Sequence, residues 1–175
     1  MTLLLFSPLI DLGPVSALAQ RPLGEPEAKA IFVRSLIKLS EWPAEAFATN
    51  TSPFVVGVLG RNPFGEWSGV ISTNKIRDRE VQVHEFSSVE EARKQAHLLF
   101  INPADKNTVP ALLAQLQGAN VLTLSDMDGF VQKGGMVGLA FERKRIIYRV
   151  NRRALTGSKV VLPSQVLKLA SEILE

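Results

Sequence analysis

The sequence predicts a single α/β domain of three layers: a mostly parallel sheet, helices on both faces and an antiparallel hairpin at one edge. Three observations predict it. Apolar runs such as Phe54 to Leu59, FVVGVL, and Leu98 to Ile101, LLFI, are continuous rather than alternating, as strands covered on both faces must be. Between such runs lie segments with apolar residues at helical spacing, so strand and helix alternate along the chain. After Gly135 the alternation gives way to two strand-like runs joined by the charged turn Glu142-Arg143-Lys144-Arg145, a hairpin pattern.

The elements follow in order. Glu25-Pro26 starts a helix with proline in its first turn, and Ala28, Ile31, Phe32, Ser35, Leu36 and Leu39 recur at the spacing of one helical face. Trp42-Pro43 stops it, because the residue before proline is pushed out of the helical region. Phe54 to Leu59 is the first strand, and the loop Gly60 to Gly65 leads into a short helix. Val81 to Phe86 is the second strand, Val89 to Ala96 a charged helix and Leu98 to Ile101 the third strand. Asn102-Pro103 closes that strand, and a helix from Val109 to Leu116 ends at Gly118. Asn120 to Leu124 is the fourth strand, and Met136 to Phe141 with Arg145 to Val150 forms the hairpin. Asn151 caps a short helix that Gly157 ends, and Leu162-Pro163 precedes a last amphipathic helix carrying Val166, Leu167, Leu169, Ala170 and Ile173. The glycine pair Gly134-Gly135 is expected to serve a tight loop through positive φ. Pro43, Gly65, Gly129, Gly134, Gly135 and Asn151 are therefore read as structural.

A chain of 175 residues with 46% apolar and 21% charged residues has the composition of one ordinary globular domain, not of a disordered segment or a coiled coil. Residues 26–175 are read as that domain and 20–25 as a flexible lead-in. Residues 1–19 hold the apolar run Leu3 to Ile10 and end in Ala17-Leu18-Ala19 before Gln20, the small-x-small pattern of a secretory cleavage site, although no basic residue precedes the run. The run is too short to span a bilayer. There is no cysteine, which excludes disulfides, thiolate metal sites and a cysteine nucleophile. The formal charge is +3, and the only charged residue in 1–19 is Asp11, so removal of that segment leaves +4. Arg143, Lys144, Arg145, Arg149, Arg152 and Arg153 gather the excess near the hairpin, a surface able to attract an acidic partner or to stand as a solvated rim. One tyrosine and two dispersed tryptophans do not supply the stacking residues that a nucleic-acid face needs.

Among candidate sites, Gly60-Arg61-Asn62-Pro63-Phe64-Gly65 follows a strand and precedes a helix, but its spacing fits neither the dinucleotide nor the phosphate-loop pattern, and Pro63 removes an amide donor. Loops that leave parallel strands lie at the carboxyl edge, where open α/β sheets bind ligands. The loops at 60–66 and 125–135 both belong there and could face one another, which makes Gly60, Arg61, Asn62, Phe64, Ser125 and Asp126 candidates for ligand or partner binding. Phe64 has the alternative of packing onto the sheet, and Asp126 and Asp128 that of forming a turn before Gly129. Trp42 either plugs the core or anchors a partner. His84 and His97 have no second ligand at metal spacing, and Ser125-Asp126 point to opposite sides of a strand, so neither a zinc site nor a catalytic triad is expected.

Trp42-Pro43, the loop Gly60-x-x-Pro63-Phe64-Gly65, the stretch Leu124 to Asn151 (LSDMDGFVQKGGMVGLAFERKRIIYRVN) and the terminal Pro163-Ser-Gln-Val-Leu-Lys-Leu-Ala resemble, in order and spacing, the YfiR-like family. The resemblance covers roughly residues 28 to 172. It implies a periplasmic regulatory protein, not an enzyme and without a cofactor, that represses an inner-membrane diguanylate cyclase and so lowers cyclic-di-GMP signalling. Its implied partner is the periplasmic part of that cyclase or of another sensor, with a homodimer left open, and Arg149 and Arg152 are the basic candidates for that contact. Family members commonly carry acidic residues where Arg61-Asn62 stand here. The reading from the residues alone leaves a second account, a periplasmic small-molecule-binding module serving a different sensor or transporter.

Overall fold

The structure is a computed structural model and describes residues 22–175, so the expected signal segment 1–19 lies outside the described residues. After three exposed residues, α1 (Glu25–Leu39) begins with Pro26 in its first turn, and its last turn stops where Ser40 turns extended. Then follow β1 (Phe54–Gly60), α2 (Ser68–Ile71), β2 (Val81–Phe86), α3 (Val89–Gln95), β3 (Leu98–Asn102), α4 (Val109–Gln115), β4 (Leu122–Ser125), β5 (Val137–Glu142), β6 (Arg145–Asn151), α5 (Arg152–Thr156), α6 (Ser164–Lys168) and β7 (Glu172–Leu174). Seven strands form one sheet in the order β2-β1-β3-β4-β5-β6-β7. The pairs from β2 through to β5 are parallel, and β5–β6 is antiparallel with Glu142 opposite Arg145 across the turn. This is the mostly parallel α/β sheet with an antiparallel hairpin that the sequence predicts.

The central strands show why continuous apolar runs were required. Leu98, Phe100, Leu122 and Leu124 join the core beneath α1, whereas Leu99, Ile101 and Val121 join the core beneath α3 and α4. Successive side chains of a strand point to opposite faces, so both faces must be apolar when both are covered. Ser88 caps α3 by accepting from the Glu91 amide, and Asn151 caps α5 by accepting from the Ala154 amide at 2.9 Å. Asn151 also donates through Nδ2 to the Val131 carbonyl at 2.8 Å, which ties the β4–β5 crossover to the end of β6.

Three expectations need correction. The face of α1 that enters the core is Ala28, Lys29, Ala30, Val33, Leu36 and Ile37, and of the expected stripe Ile31 and Leu39 are exposed. Arg34, Ser35 and Lys38 mark the outer side of the helix, but Ile31 and Leu39 stand beside them, so the apolar spacing runs past the buried face and the period alone does not place its edge. The last helix does not run to Ile173. α6 ends at Lys168, the Ser171 amide donates to the Tyr148 carbonyl at 2.9 Å, and Glu172 to Leu174 pair in parallel with Arg149 to Asn151. The open side of β6 offers the terminal segment ladder partners that one more helical turn would not supply, and Leu169 stays 77% exposed. The hairpin thus carries a short further strand on its outer side. Finally, Gly134 has positive φ (98°) but Gly135 does not, and Gly135 is required for another reason: a side chain there would collide with the Phe130 ring.

Candidate functional site

The chain leaves β1 toward β2 on one side and returns from β2 to β3 on the other, so the sheet has its topological switch between β1 and β3. Open α/β sheets bind ligands outside the carboxyl ends of strands at such a point. An open crevice of about 680 Å³ lies there, lined among others by Gly60, Glu85, Ser87, Ser88, Pro103 and Thr108. Gly60 shapes its wall. Its φ is 96°, and a Cβ would run into the Asn102 carbonyl, because the Arg61 amide donates to that oxygen at 3.0 Å while Asn102 Nδ2 donates back to the Arg61 carbonyl at 3.1 Å. Asn62 closes the turn by accepting from the Phe64 amide at 2.9 Å and donates to Glu85 Oε1 at 2.8 Å. Arg61 is exposed. Phe64 is fully buried, edge-on to Phe100 with ring centres 5.4 Å apart, so it belongs to the core and not to a contact surface.

The loop after β4 reaches the same strand end from the other side. The buried Ser125 hydroxyl donates to the Ile101 carbonyl at 2.6 Å and accepts from the Met127 amide at 3.2 Å. Its hydrogen is committed, and no histidine stands beside it. Asp126 accepts from Lys29 Nζ at 2.5 Å, and the same ammonium contacts Glu25 at 2.5 Å. Burial alone would lower the Lys29 pKa; the hydrogen bonds to Asp126 and Glu25 outweigh it and hold the ammonium above its ordinary value. A folded-state pKa raised in this way contributes stability below the ordinary lysine pKa and loses it only as pH rises through the folded value, so the clamp is intact throughout the neutral range. Sequence reasoning missed Lys29. A lysine between two alanines reads as solvated, and its partner is 97 residues away.

Trp42 is not part of this edge. It lies at the amino ends of β1 and β3, where its indole N–H donates to the His97 carbonyl at 3.0 Å and its ring meets Phe54 edge-on at 4.7 Å. Pro43 follows it into a short 3-10 turn at Ala44–Ala46. His97 is buried there, and His84 sits on β2 with its ring edge-on to Phe86. Among the described residues no group of three His, Asp or Glu could hold a metal ion. Gly65 and Gly129 both have positive φ and turn the loops after β1 and β4.

The basic surface of the hairpin is partly neutralised. Arg149 Nε meets Glu172 at 3.0 Å and Arg152 meets Glu175 at 3.0 Å, all four exposed, so Arg149 ties β7 to β6 and Arg152 ties the last residue to α5. Arg149→Glu should therefore cost less than about 1 kcal/mol of unfolding free energy, since exposed pairs are screened by water and salt. Urea unfolding at low and high salt checks this: the deficit should shrink as salt is raised. The outer face of α1 supplies a different surface. Phe32, Leu36 and Leu39 with Tyr148, Val166 and Leu169 line an apolar groove of about 450 Å³.

Compared with known proteins, residues 26–171 match the sequence profile of the YfiR/HmsC-like family. No curated protein matches the chain. Solved structures of other proteins share its fold. A conserved domain protein from Vibrio cholerae O1 biovar El Tor aligns with TM-score 0.53 and 9% identity over 87% of this chain and 61% of its own. The ABC domain from Streptococcus pneumonia, in complex with L-Trp, aligns with TM-score 0.50 and 12% identity over 81% of this chain and 60% of its own. The chain thus spans about three fifths of the length of these two structures.

Proposed function

We propose that this chain, which belongs to the YfiR/HmsC-like family, represses an inner-membrane diguanylate cyclase by binding its periplasmic part. Family membership carries the reading: the matched residues 26–171 run from the first turn of α1 through α6 and take in every element of the framework but the terminal strand β7. At the level of the family, such chains are periplasmic regulators of diguanylate cyclase signalling and not enzymes. For this chain the finer claim is direction. Repression requires tighter binding to the inactive conformer of the cyclase than to the active one, because a ligand shifts an equilibrium only by its differential affinity. No chemistry is needed from the regulator, and an envelope signal that weakens the complex releases the enzyme.

The exposed leucines Leu39 and Leu169, which flank the apolar groove between α1 and α6 beside Lys38 and Lys168, are the surface best suited to that partner. Large exposed apolar residues in one patch favour protein contact. Deleting the gene should raise cellular cyclic-di-GMP, and the rise should vanish in a strain that also lacks the cyclase. Leu39→Asp with Leu169→Asp should reproduce the rise while the protein remains folded and abundant. An unchanged cyclic-di-GMP level under several envelope stresses, with no membrane protein captured by the tagged regulator, would remove repression and favour the second reading. That reading is a small-molecule-binding module using the crevice at the β1–β3 switch.

A further inference from the structure

On the amino side of the sheet, opposite the switch-point crevice, α4, the β4–β5 crossover and α5 enclose a cleft of about 320 Å³. Its apolar part is formed by Pro110, Leu113, Leu116 and Met136. Its charged part is Lys133 and Arg153, both exposed, and no carboxylate lines the cleft. Neither cation has an ion pair or hydrogen bond among the described residues. The C-terminal carbonyls of α4 do not need them either, because Leu113, Ala114 and Leu116 already accept from the Leu116, Gln117 and Ala119 amides. Two positive charges thus stand beside an apolar hollow with nothing of their own to neutralise.

The wall between them holds two under-used donors. Thr123 is buried, and its amide donates to the Met136 sulfur at 3.5 Å, a thioether in the place where a strand carbonyl would sit. Sulfur of this kind is a weak acceptor. The Thr123 hydroxyl accepts from the Met136 amide at 3.1 Å, and its own hydrogen has no acceptor among the described residues. Buried donors are ordinarily satisfied, so a hydroxyl hydrogen without a partner at the lining of a cleft is unusual. Glycines keep the space open: Gly118 and Gly134 line the cleft with positive φ, and a Cβ on either would meet nothing within 4 Å.

We infer that this cleft binds a small organic anion, its apolar body against Leu113, Leu116 and Met136 and its acidic group between Lys133, Arg153 and the Thr123 donors. A cleft of this volume stands at the lower end of small-molecule sites, which combine an apolar lining with a few convergent polar groups. The inference stands whether or not the chain restrains a cyclase, since none of these residues lies in the groove assigned to that partner.

The test is calorimetric titration of the full chain with phenylacetate, with the neutral phenylacetamide as control and inorganic phosphate as a probe of the acidic group alone. Phenylacetate should bind saturably and at least about tenfold more tightly than the amide. Lys133→Gln with Arg153→Gln should weaken it about tenfold or more with an unchanged thermal midpoint, because both side chains are exposed. Thr123→Val should also weaken it; should that variant fail to fold, Thr123→Ser must bind as the parent does, since it keeps the hydroxyl. The assignment is overturned if neither phenylacetate nor phosphate saturates the protein, if the amide binds as well as the acid, or if the double glutamine variant binds phenylacetate like the parent.

Discussion

Gly135→Val is expected to lower the thermal midpoint by roughly 10 °C, the result of about 3 kcal/mol of overpacking in a domain of this size. The Cβ alone suffices for the collision: built on the Gly135 backbone, it lands against the Phe130 ring. That ring has no room to withdraw. Phe130 is 1% exposed and belongs to the core beneath α3 and α4 with Leu113, Leu116 and Met127. The backbone cannot move away cheaply either, because the Gly135 amide donates to the Phe130 carbonyl at 3.0 Å and so fixes the distance between the two residues. Gly134→Ala provides the contrast. There the space is open but φ is 98°, so the cost is only the left-handed backbone of an alanine, about 1–2 kcal/mol. Thermal unfolding of Gly135→Ala, Gly135→Val and Gly135→Ala with Phe130→Leu separates the causes. A steric origin requires that shrinking the Phe130 ring recover part of the loss, and a double variant no better than Gly135→Ala would refute it.

The same glycine shows where the sequence was legible and where it was not. That Gly134 and Gly135 terminate the crossover before β5 follows from residue type, but the reason for Gly135 is a ring that packs back across the loop, and no local pattern encodes it. Strands such as Leu98 to Asn102 were legible because burial on both faces leaves a continuous apolar run, and the cap at Asn151 because a short polar side chain before a helix has few other uses. The buried face of α1 was only partly legible: Arg34, Ser35 and Lys38 mark the outer side, but Ile31 and Leu39 stand beside them and the buried Lys29 lies on the inner one. β7 was hidden for a related reason: Val166 to Ile173 fits a helical period, and only the open flank of β6 converts its end to a strand. At the carboxyl edge, Gly60 and Ser125 read from the sequence as the first residues of their loops and are instead the last residues of β1 and β4. The clamp between Lys29 and Asp126 joins residues 97 apart and leaves no trace in either neighbourhood. The sequence leaves Trp42 between core and contact surface, and its indole hydrogen bond to the His97 carbonyl ties it into the fold.

That junction makes His97 the second place where a single residue should have a large effect, and the effect should depend on pH. The ring accepts the Val55 amide at Nδ1 (3.0 Å), which leaves the proton on Nε2 to be donated to the Ala46 carbonyl (3.0 Å). Phe47 stacks on the ring at 4.4 Å, with the Arg79 guanidinium 3.8 Å from the other ring's centre. Burial disfavours the imidazolium most strongly and Arg79 adds to it, so the folded-state pKa falls from the ordinary 6.5 to about 4 despite the Ala46 carbonyl. A depressed histidine binds more protons unfolded than folded between those two values. Its contribution is therefore complete above the unfolded pKa and is lost as pH falls, by about 2 kcal/mol at about pH 5 and about 3 kcal/mol at about pH 4. His97→Gln removes both the ring's interactions and this linkage. Near pH 7.5 the variant should be about 2–3 kcal/mol less stable than the parent, from lost hydrogen bonds and stacking. As the medium is acidified the parent should lose stability faster, and the gap measured by urea unfolding should close toward about pH 4. The carboxylates common to both proteins cancel in that difference, so a gap that stays constant from neutral to acid would show that the ring is not held neutral by its burial.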